Sequence, residues 1–187
     1  MKWLIASDLH GSARYTRELL AAFDREQANR LLLLGDVLYH GPRNDLPAGY
    51  NPKGVIALLN ANREKLFCVR GNCEAEVDQM VLAFPVLADY ALIPVGGKTV
   101  FATHGHRYNT AAQPPLRAGD VLLHGHTHLY AAEAFDLADG GRALYLNPGS
   151  VALPKGGNPA TYMTLDTETG AYRLLTMDGG EVLSGTI

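Results

Sequence analysis

The residues best suited to chemistry in this chain follow short apolar runs. Asp8 and His10 come directly after the run KWLIA, and Asp36 comes after LLLL. Ligands of open α/β sheets bind beyond the carboxyl ends of strands, so strands at these runs would bring the polar side chains to one edge. The candidate residues are Asp8, His10, Asp36, Asn72, His104, His126 and His128.

The local spacing of these residues also indicates shared ligation. In Asp8-Leu9-His10 and His126-Thr127-His128 the two polar residues are two positions apart. Such residues project to the same side of an extended chain, so we expect each pair to contact one site. Glycine, which permits close approach of the backbone to a ligand, adjoins most candidates. These glycines are Gly11, Gly35, Gly71, Gly105 and Gly125.

The types of donor predict a metal centre. Carboxylates, imidazoles and one amide oxygen, without a set of thiolates, suit manganese, iron, cobalt, nickel or zinc better than a structural zinc site. Two such ions about 3.5–4 Å apart form a clamp for phosphoryl displacement. Asp36 is the expected bridge between them, because a carboxylate offers two oxygens and its GD block lies centrally among the motifs.

The first half of the chain alternates predicted strands and helices, which indicates a parallel sheet with right-handed crossovers. Asn51 and Pro52 mark a helix start, with asparagine as the cap and proline in the first turn. A loop rich in glycine, proline and asparagine covers 37–51. The predicted strands are 2–6, 31–34 and 66–70, and the other predicted helices are 13–26 and 75–82.

The second half predicts short strands separated by glycine-rich turns, which indicates hairpins and a second, antiparallel or mixed sheet. Two packed sheets with helices outside would bury both sets of strands. We therefore expect an α/β fold. The predicted strands are 86–94, 98–103, 120–124, 129–137, 142–146, 160–166, 171–177 and 181–184.

Composition limits the class of protein. A chain of 187 residues that is 47% hydrophobic and 19% charged fits one domain, 1–187. Its net charge of −3 argues against stable nucleic-acid binding, although bound metals would still attract an anionic substrate. Cys68 and Cys73 are too few for a disulfide scaffold. No apolar stretch suits a signal peptide or a membrane span, so a cytoplasmic protein is expected. Exposed edge strands leave homo-oligomerisation open.

Five ordered blocks in this chain resemble the calcineurin-like metallophosphoesterase superfamily. They are DLH (8–10), GD (35–36), GN (71–72), HGH (104–106) and GHTH (125–128). Further segments resemble its YfcE-type phosphodiesterase branch. They are LYHGPRNDLPAGYNP (38–52), GNCEAEVDQ (71–79) and NPGSV (147–151).

The resemblance implies a four-layer α/β/β/α sandwich of two mixed sheets flanked by helices. It also implies two divalent ions, with manganese expected and zinc, iron, cobalt, nickel or magnesium as alternatives. Asp8, His10 and His128 would bind one ion and Asn72, His104 and His126 the other, with Asp36 between them. A metal-activated hydroxide would hydrolyse a small phosphodiester substrate, with monoesters left open.

Cys73 departs from the wider superfamily, in which the block is GNH and the histidine contacts the phosphate and assists the leaving group. The YfcE-type branch has GNC, as here. A thiol can donate a proton, and its usual pKa of about 8.5 would fall beside metal ions. Cys73 and Asn72 are therefore the catalytic candidates, although Cys73 could instead be a small buried residue.

The remaining polar residues have simpler interpretations beside the functional ones. His106 could support the site or contact substrate, and His124 is expected to be structural. His40 could line a pocket with Arg43 and Asn44, or be a solvated loop residue. The other expectations concern helix acids, the core and a supporting turn. They are Glu74, Glu76 and Asp78 as first-turn acids, Cys68 as a core residue, and Asn147–Ser150 as a turn that could buttress the site.

Two function classes remain beside the phosphoesterase. Zinc hydrolases of other esters or amides use blocks such as HxHxDH, which this chain lacks. A non-catalytic module is the stronger alternative, since the retromer scaffold subunit has the metallophosphoesterase fold with an incomplete set of metal ligands. Because all seven candidate positions here hold competent ligands, the sequence favours an enzyme.

Overall fold

Two mixed β-sheets pack face to face in the computed structural model, which describes residues 1–187. The strands are β1 (Lys2–Ala6), β2 (Arg30–Leu33), β3 (Leu66–Cys68), β4 (Tyr90–Val95), β5 (Lys98–Thr103), β6 (Val121–His124), β7 (Tyr130–Asp136), β8 (Arg142–Pro148), β9 (Thr161–Asp166), β10 (Ala171–Thr176) and β11 (Glu181–Thr186). The α-helices are α1 (Ala13–Arg25), α2 (Pro52–Asn60) and α3 (Glu76–Val81), and a 3₁₀ turn covers Arg63–Lys65.

Each sheet combines parallel strands with antiparallel neighbours. The six-stranded sheet has the order β11-β10-β9-β1-β2-β3, in which β1, β2 and β3 are parallel. The five-stranded sheet has the order β4-β5-β6-β8-β7, in which β5, β6 and β8 are parallel. The parallel strands of each sheet therefore end at a common edge. The candidate polar residues described above lie just past these strand ends.

Successive side chains of each strand point to opposite faces of the sheet, which divides the core into layers. On β1, Leu4 and Ala6 pack with the helices, while Ile5 belongs to the cluster between the two sheets. On β5, Val100 joins that central cluster, and Phe101 points to the opposite face of the sheet. The register of each strand therefore fixes which residues lie between the sheets.

Caps and apolar faces position the two longer helices. The Ser12 side chain accepts a hydrogen bond from Tyr15 at the start of α1, and Asn51 accepts one from Gly54 at the start of α2. Leu19 and Leu59, one from each helix, are fully buried in the core between the helices and the six-stranded sheet. None of the helices is both long and apolar enough to cross a bilayer.

The expected sandwich of two mixed sheets with flanking helices is confirmed. The helices cover the six-stranded sheet. The outer face of the five-stranded sheet is covered by the helix-free segment 104–120, whose Leu116 and Tyr108 pack against Phe101. A short loop layer thus replaces a helix on that side.

One predicted strand was partly wrong. The prediction covered 86–94, but β4 begins at Tyr90. Val86 is fully buried in the core beneath the helices, and its N–H donates to the Gln79 side chain. The apolar residues before Tyr90 therefore serve helix packing while the chain crosses from one sheet to the other. The remaining bounds differ from the predictions by at most two residues, and those of 2–6 and 98–103 are unchanged.

Candidate metal centre

The carboxyl ends of five strands deliver the predicted ligands to one place. The donor atoms fall into overlapping groups whose members lie within 4.8 Å of one another. One group is Asp8, His10 and His128, and another is Asp36, His104 and His126. The seventh candidate, Asn72, joins the second group, since its Oδ1 lies 3.1 Å from His104 Nε2. All seven candidates are therefore brought together.

The backbone at the predicted ligand pairs is not extended. The expectation that an extended chain directs each pair to one side was therefore wrong. Asp8 and His10 have φ angles of 59° and 46°, and His126 and His128 have φ angles of 69° and 61°. Asp36 is also in this region, at 55°. The left-handed conformation is uncommon outside glycine and costs free energy, so the surrounding fold must maintain it. The pairs converge through these turns, whose positions the sequence spacing did not reveal.

Backbone carbonyls fix the orientation of three histidine rings. The Nδ1 atoms of His10, His104 and His128 lie 2.8, 2.7 and 2.6 Å from the carbonyl oxygens of Tyr39, Leu34 and Leu153. A carbonyl only accepts, so each Nδ1 carries the proton and donates it. Each Nε2 then offers a lone pair to the site. This arrangement is typical of histidines that ligate metal ions.

These lone pairs face each other and need a cation between them. His10 Nε2 and His128 Nε2 are only 3.2 Å apart, and His104 Nε2 lies 3.1 Å from His126 Nδ1. The Asp8 Oδ1 atom is buried without a hydrogen-bond partner. A buried acceptor without a donor is costly. Divalent ions at these positions would satisfy all of these atoms, so the residues fit the metals that the sequence predicts.

The charges around the first group favour a cation as well. Burial would raise the pKa of Asp8, but the imidazoles of His10 and His128, 3.6 and 3.4 Å from its Oδ1, hold that pKa well below its usual range. Burial lowers the pKa of His10, but Asp8 outweighs this effect and raises it. The space between these side chains therefore stabilises positive charge.

The two oxygens of Asp36 point to different groups. Its Oδ2 lies 3.7 Å from His10 Nε2, and its Oδ1 lies 3.5 Å from His104 Nε2. The backbone N–H of Cys73 donates to Oδ1 at 3.0 Å, which holds the carboxylate in this orientation. Asp36 is thus the one side chain placed between both sets of histidines.

The role of Glu74 in the structure differs from the predicted one. The prediction made it a first-turn helix acid, but α3 begins two residues later and Glu74 is buried. Its carboxylate accepts backbone N–H groups from Asp36, Val37 and Gly71 at 2.9, 2.7 and 2.6 Å. Burial and the nearby Asp36 raise its pKa. Glu74 therefore joins the loops after β2 and β3. In the sequence, only its position directly after GNC indicates this role.

The close approach of Asp36 and Glu74 to the backbone explains the glycine at position 71. A Cβ there would meet the Asp36 carboxylate and would lie 2.7 Å from a Glu74 oxygen. The two ligand loops therefore pack too tightly for any side chain at this position. Glu76 is exposed, and Asp78 accepts a hydrogen bond from the Ala75 N–H, as expected of acids in a first helical turn.

Cys73 lines the site beside Asp36. Its Sγ donates to Asp36 Oδ2 at 3.3 Å, and it forms a third cluster with His10 and Asp36. Burial and then the Asp36 charge raise the pKa of this thiol, so in the protein alone it holds its proton. Cys68, in contrast, is buried in the core as predicted.

The three other histidines occupy different surroundings. His124 is buried beside Tyr145, with ring centroids 4.5 Å apart, and burial lowers its pKa to about 4. The His106 ring lies 5.4 Å from that of His104, and burial lowers its pKa also to about 4. His40 packs edge-on between Tyr39 and Tyr50. His40 is half-buried and does not line the cavity that Arg43 and Asn44 line.

The turn after β8 contacts the ligand loops, as a buttress would. Ser150 Oγ donates to the backbone carbonyl of Asp8 at 3.0 Å. Asn147 Nδ2 is 3.1 Å from the Gly125 carbonyl and 3.0 Å from Thr127 Oγ1. This segment therefore ties together the two loops that carry Asp8 and His126.

A cavity of about 400 Å³ opens above the clustered donors. Asp36, Asn72, Cys73 and two of the histidines form one wall. The loop 41–44, Thr127 and Lys155 supply the rest of the lining, and only one lining residue is apolar. The arrangement suits a small, polar, anionic ligand that reaches the metal donors.

Comparison with known proteins identifies the class that this fold and site define. The model of the calcineurin-like phosphoesterase superfamily domain matches residues 1–170. The chain therefore belongs to this superfamily and is a phosphoesterase, and the resemblance of its five blocks is confirmed.

Particular relatives narrow this class. The chain is 47% identical to phosphodiesterase YfcE of Escherichia coli K12 over 168 residues, which cover 90% of this chain and 89% of the relative. A solved structure of this E. coli phosphoesterase has a TM-score of 0.92 and 43% identity, with full coverage of both chains. Vps29 of Entamoeba histolytica, solved with zinc, has a TM-score of 0.56 at 18% identity, covering 100% of this chain and 98% of Vps29. The last likeness concerns the fold alone.

Proposed function

We propose that this protein is a phosphodiesterase that hydrolyses small phosphate diesters at a centre of two divalent metal ions. The observation that carries the proposal is the position of Asp36 between two sets of histidines. The 47% identity to a protein named phosphodiesterase supports the choice of diesters. Monoesters are a second candidate substrate class.

The distances between donor atoms support two ligand sets. Asp8, His10 and His128 would hold one ion, and Asn72, His104 and His126 would hold the other. Asp36 would contribute one oxygen to each ion, since its two oxygens face different sets. Manganese is the metal that the resemblance to the YfcE-type branch implies, and the oxygen and imidazole donors would also suit iron, cobalt, nickel or zinc.

When bound, the two ions would lower the pKa of a coordinated water and neutralise charge on the phosphoryl group. The chain's own residues do the positioning. Backbone carbonyls hold the histidine rings, and Glu74 fixes the loops that carry Asp36 and Asn72. The cavity wall formed by Asn72 and Cys73 would lie along the bound ester.

Cys73 is proposed to interact with the leaving group. Its thiol holds a proton at Sγ and lies on the cavity wall beside Asn72, whose Nδ2 approaches Sγ to 3.3 Å. A thiol is a weak donor without charge. It suits a leaving group that needs little protonation, such as an activated ester or a diester arm.

We expect Cys73→Ser and Cys73→His to change turnover or the ratio of diester to monoester hydrolysis without loss of metal. Serine keeps a donor of similar size, whereas histidine adds a stronger donor that can carry charge. The measurement is kcat/KM for a chromogenic diester and for its monoester, with metal content determined in parallel. If Cys73→Ala leaves every phosphodiester rate unchanged, the catalytic role of Cys73 is wrong.

A chelation experiment tests the proposed function itself. Protein treated with a chelator should lose the ability to release p-nitrophenol from bis(p-nitrophenyl) phosphate, and added Mn²⁺ should restore it. The physical reason is that Cys73 is the only thiol lining the cavity, and burial and Asp36 raise its pKa, so without metal the site offers no activated nucleophile. Full turnover by verified metal-free protein would contradict the proposal.

A further inference from the structure

The cavity above the metal donors has a cationic wall that the hydrolysis of a simple diester does not require. Arg43 and Lys155 are the basic residues among its lining, and Asp36 is the acidic one. The volume of about 400 Å³ lies in the range of roughly 300–1,000 Å³ typical of small-molecule pockets. There is therefore room for more than the phosphoryl group under attack.

Arg43 stands on a turn that is tied to the metal site. The Asn44 N–H donates to the Gly41 carbonyl at 3.2 Å, which places Pro42 and Arg43 at the centre of the turn. Asn44 Nδ2 also donates to the His40 carbonyl at 2.9 Å. The neighbouring Tyr39 carbonyl accepts the proton of the His10 ring. The position of Arg43 is thus connected to a metal donor through a few backbone bonds.

Lys155 is anchored to a donor of the same group. Its backbone N–H donates to the carbonyl of His128 at 3.1 Å. Asn158 then donates to the Lys155 carbonyl, closing a turn in which Gly156 and Gly157 have φ angles of 66° and 76°. Two positive φ angles in succession favour glycine at both central positions. Lys155 is therefore held at the start of a defined turn.

Neither cation is neutralised by the protein. The basic side chains that do pair with carboxylates lie elsewhere, on Lys2, Arg14, Arg107, Arg142 and Arg173. The positive charge of two divalent metal ions would already exceed the negative charge of the Asp8 and Asp36 carboxylates. The ions alone would therefore bind a singly charged diester. Two further unpaired cations in the cavity therefore leave positive charge for a second anion.

We propose that Arg43 and Lys155 bind a second anionic group, such as a phosphate, carried on one ester arm of the substrate. This inference rests on the proposed phosphodiesterase function and narrows its substrate class. The guanidinium of Arg43 can bind phosphate oxygens in a two-pronged manner, and Lys155 adds a point charge. The substrates selected are therefore diesters with a phosphorylated arm.

Two matched esters test this inference. One is the p-nitrophenyl ester of thymidine 5′-phosphate, and the other is the same ester with an added 3′-phosphate. With Mn²⁺ bound, we expect kcat/KM for the second ester to be about tenfold higher, the effect of one charge-assisted contact. The advantage should shrink as ionic strength rises, because both cations are exposed.

Charge-matched variants test whether Arg43 and Lys155 cause the preference for the second ester. Arg43→Gln and Lys155→Gln should each reduce the ratio of the two kcat/KM values severalfold. Arg117→Gln and Lys98→Gln remove the same charge and should keep the wild-type ratio, because neither residue lines the cavity. Lys98 begins β5 and Arg117 precedes β6, whereas the metal donors follow the carboxyl ends of these strands. A ratio near one in the wild type, or an unchanged ratio in both cavity variants, would overturn the inference. An equal loss on both esters would also overturn it, since the cations would then contact the reacting phosphate.

A binding measurement tests this inference independently of the proposed phosphodiesterase activity. The Mn²⁺-loaded protein should bind thymidine 3′,5′-bisphosphate about tenfold more tightly than thymidine 5′-phosphate in calorimetry, and Arg43→Gln should reduce the difference. If neither ester is cleaved, the phosphodiesterase proposal fails, and this comparison still decides whether the cationic wall binds a second phosphate. Equal affinities would refute it.

Discussion

Asp36→Asn should lower phosphodiester turnover about 10³-fold or more, beyond the roughly 10–100-fold cost of altering residues that only support metal ligands. The Asp36 oxygens face His10 on one side and His104 on the other, at 3.7 and 3.5 Å. A neutral amide offers one oxygen and no negative charge. It therefore cannot join two cations, and at least one metal equivalent should be lost.

The measurement combines kcat for bis(p-nitrophenyl) phosphate with metal analysis of the same sample. Asparagine is nearly isosteric and can still accept the Cys73 N–H, so the fold should survive, which thermal denaturation will verify. Asp24→Asn is a matched control, because Asp24 is exposed on α1 and should keep both activity and metal. Retention of two metals and wild-type turnover in Asp36→Asn would refute the bridging role.

Glu74→Ala should lower the free energy of unfolding by about 3 kcal/mol or more. Three buried backbone N–H groups would lose their acceptor, and each unsatisfied group costs about 1–3 kcal/mol. Relief of repulsion with Asp36 and entry of water would offset part of this cost. For a chain of this size the expected fall in Tm is roughly 6–12 °C.

Thermal and urea denaturation of metal-free protein measure this effect without the contribution of bound ions. Glu76→Ala is the control, because its side chain is exposed in the first turn of α3 and its loss should cost about 0.5 kcal/mol or less. The metal affinity of Glu74→Ala should also fall, because the loops carrying Asp36 and Asn72 lose their common anchor. A Tm equal to that of Glu76→Ala would show that Glu74 does not join these loops.

Much of the site could be predicted because strand ends are visible in sequence. Runs such as KWLIA and LLLL became β1 and β2, and Asp8 and Asp36 follow them in the structure. Parallel pairing then brings such residues to one edge regardless of their distance along the chain. Ligand types and strand order therefore sufficed to place the seven candidates together.

Long-range contacts account for what the sequence did not reveal. Glu74 looks like any acid near a helix start, and only the fold brings its carboxylate to the N–H groups of Asp36 and Val37. The left-handed turns at Asp8 and His10 depend equally on tertiary support. The edge-on contact between His40 and Tyr50, ten positions away, is likewise a product of the fold. No local pattern encodes these contacts.

One chain is proposed to bind two divalent ions and thereby to hydrolyse phosphodiesters. The most direct measurement is a titration of metal-free protein with Mn²⁺, in which bound metal and turnover of bis(p-nitrophenyl) phosphate are determined on the same samples. We predict two equivalents of Mn²⁺ per chain at saturation, with turnover appearing as the second site fills. Stoichiometric metal without turnover of any phosphoester would contradict the account and indicate a metal-binding scaffold.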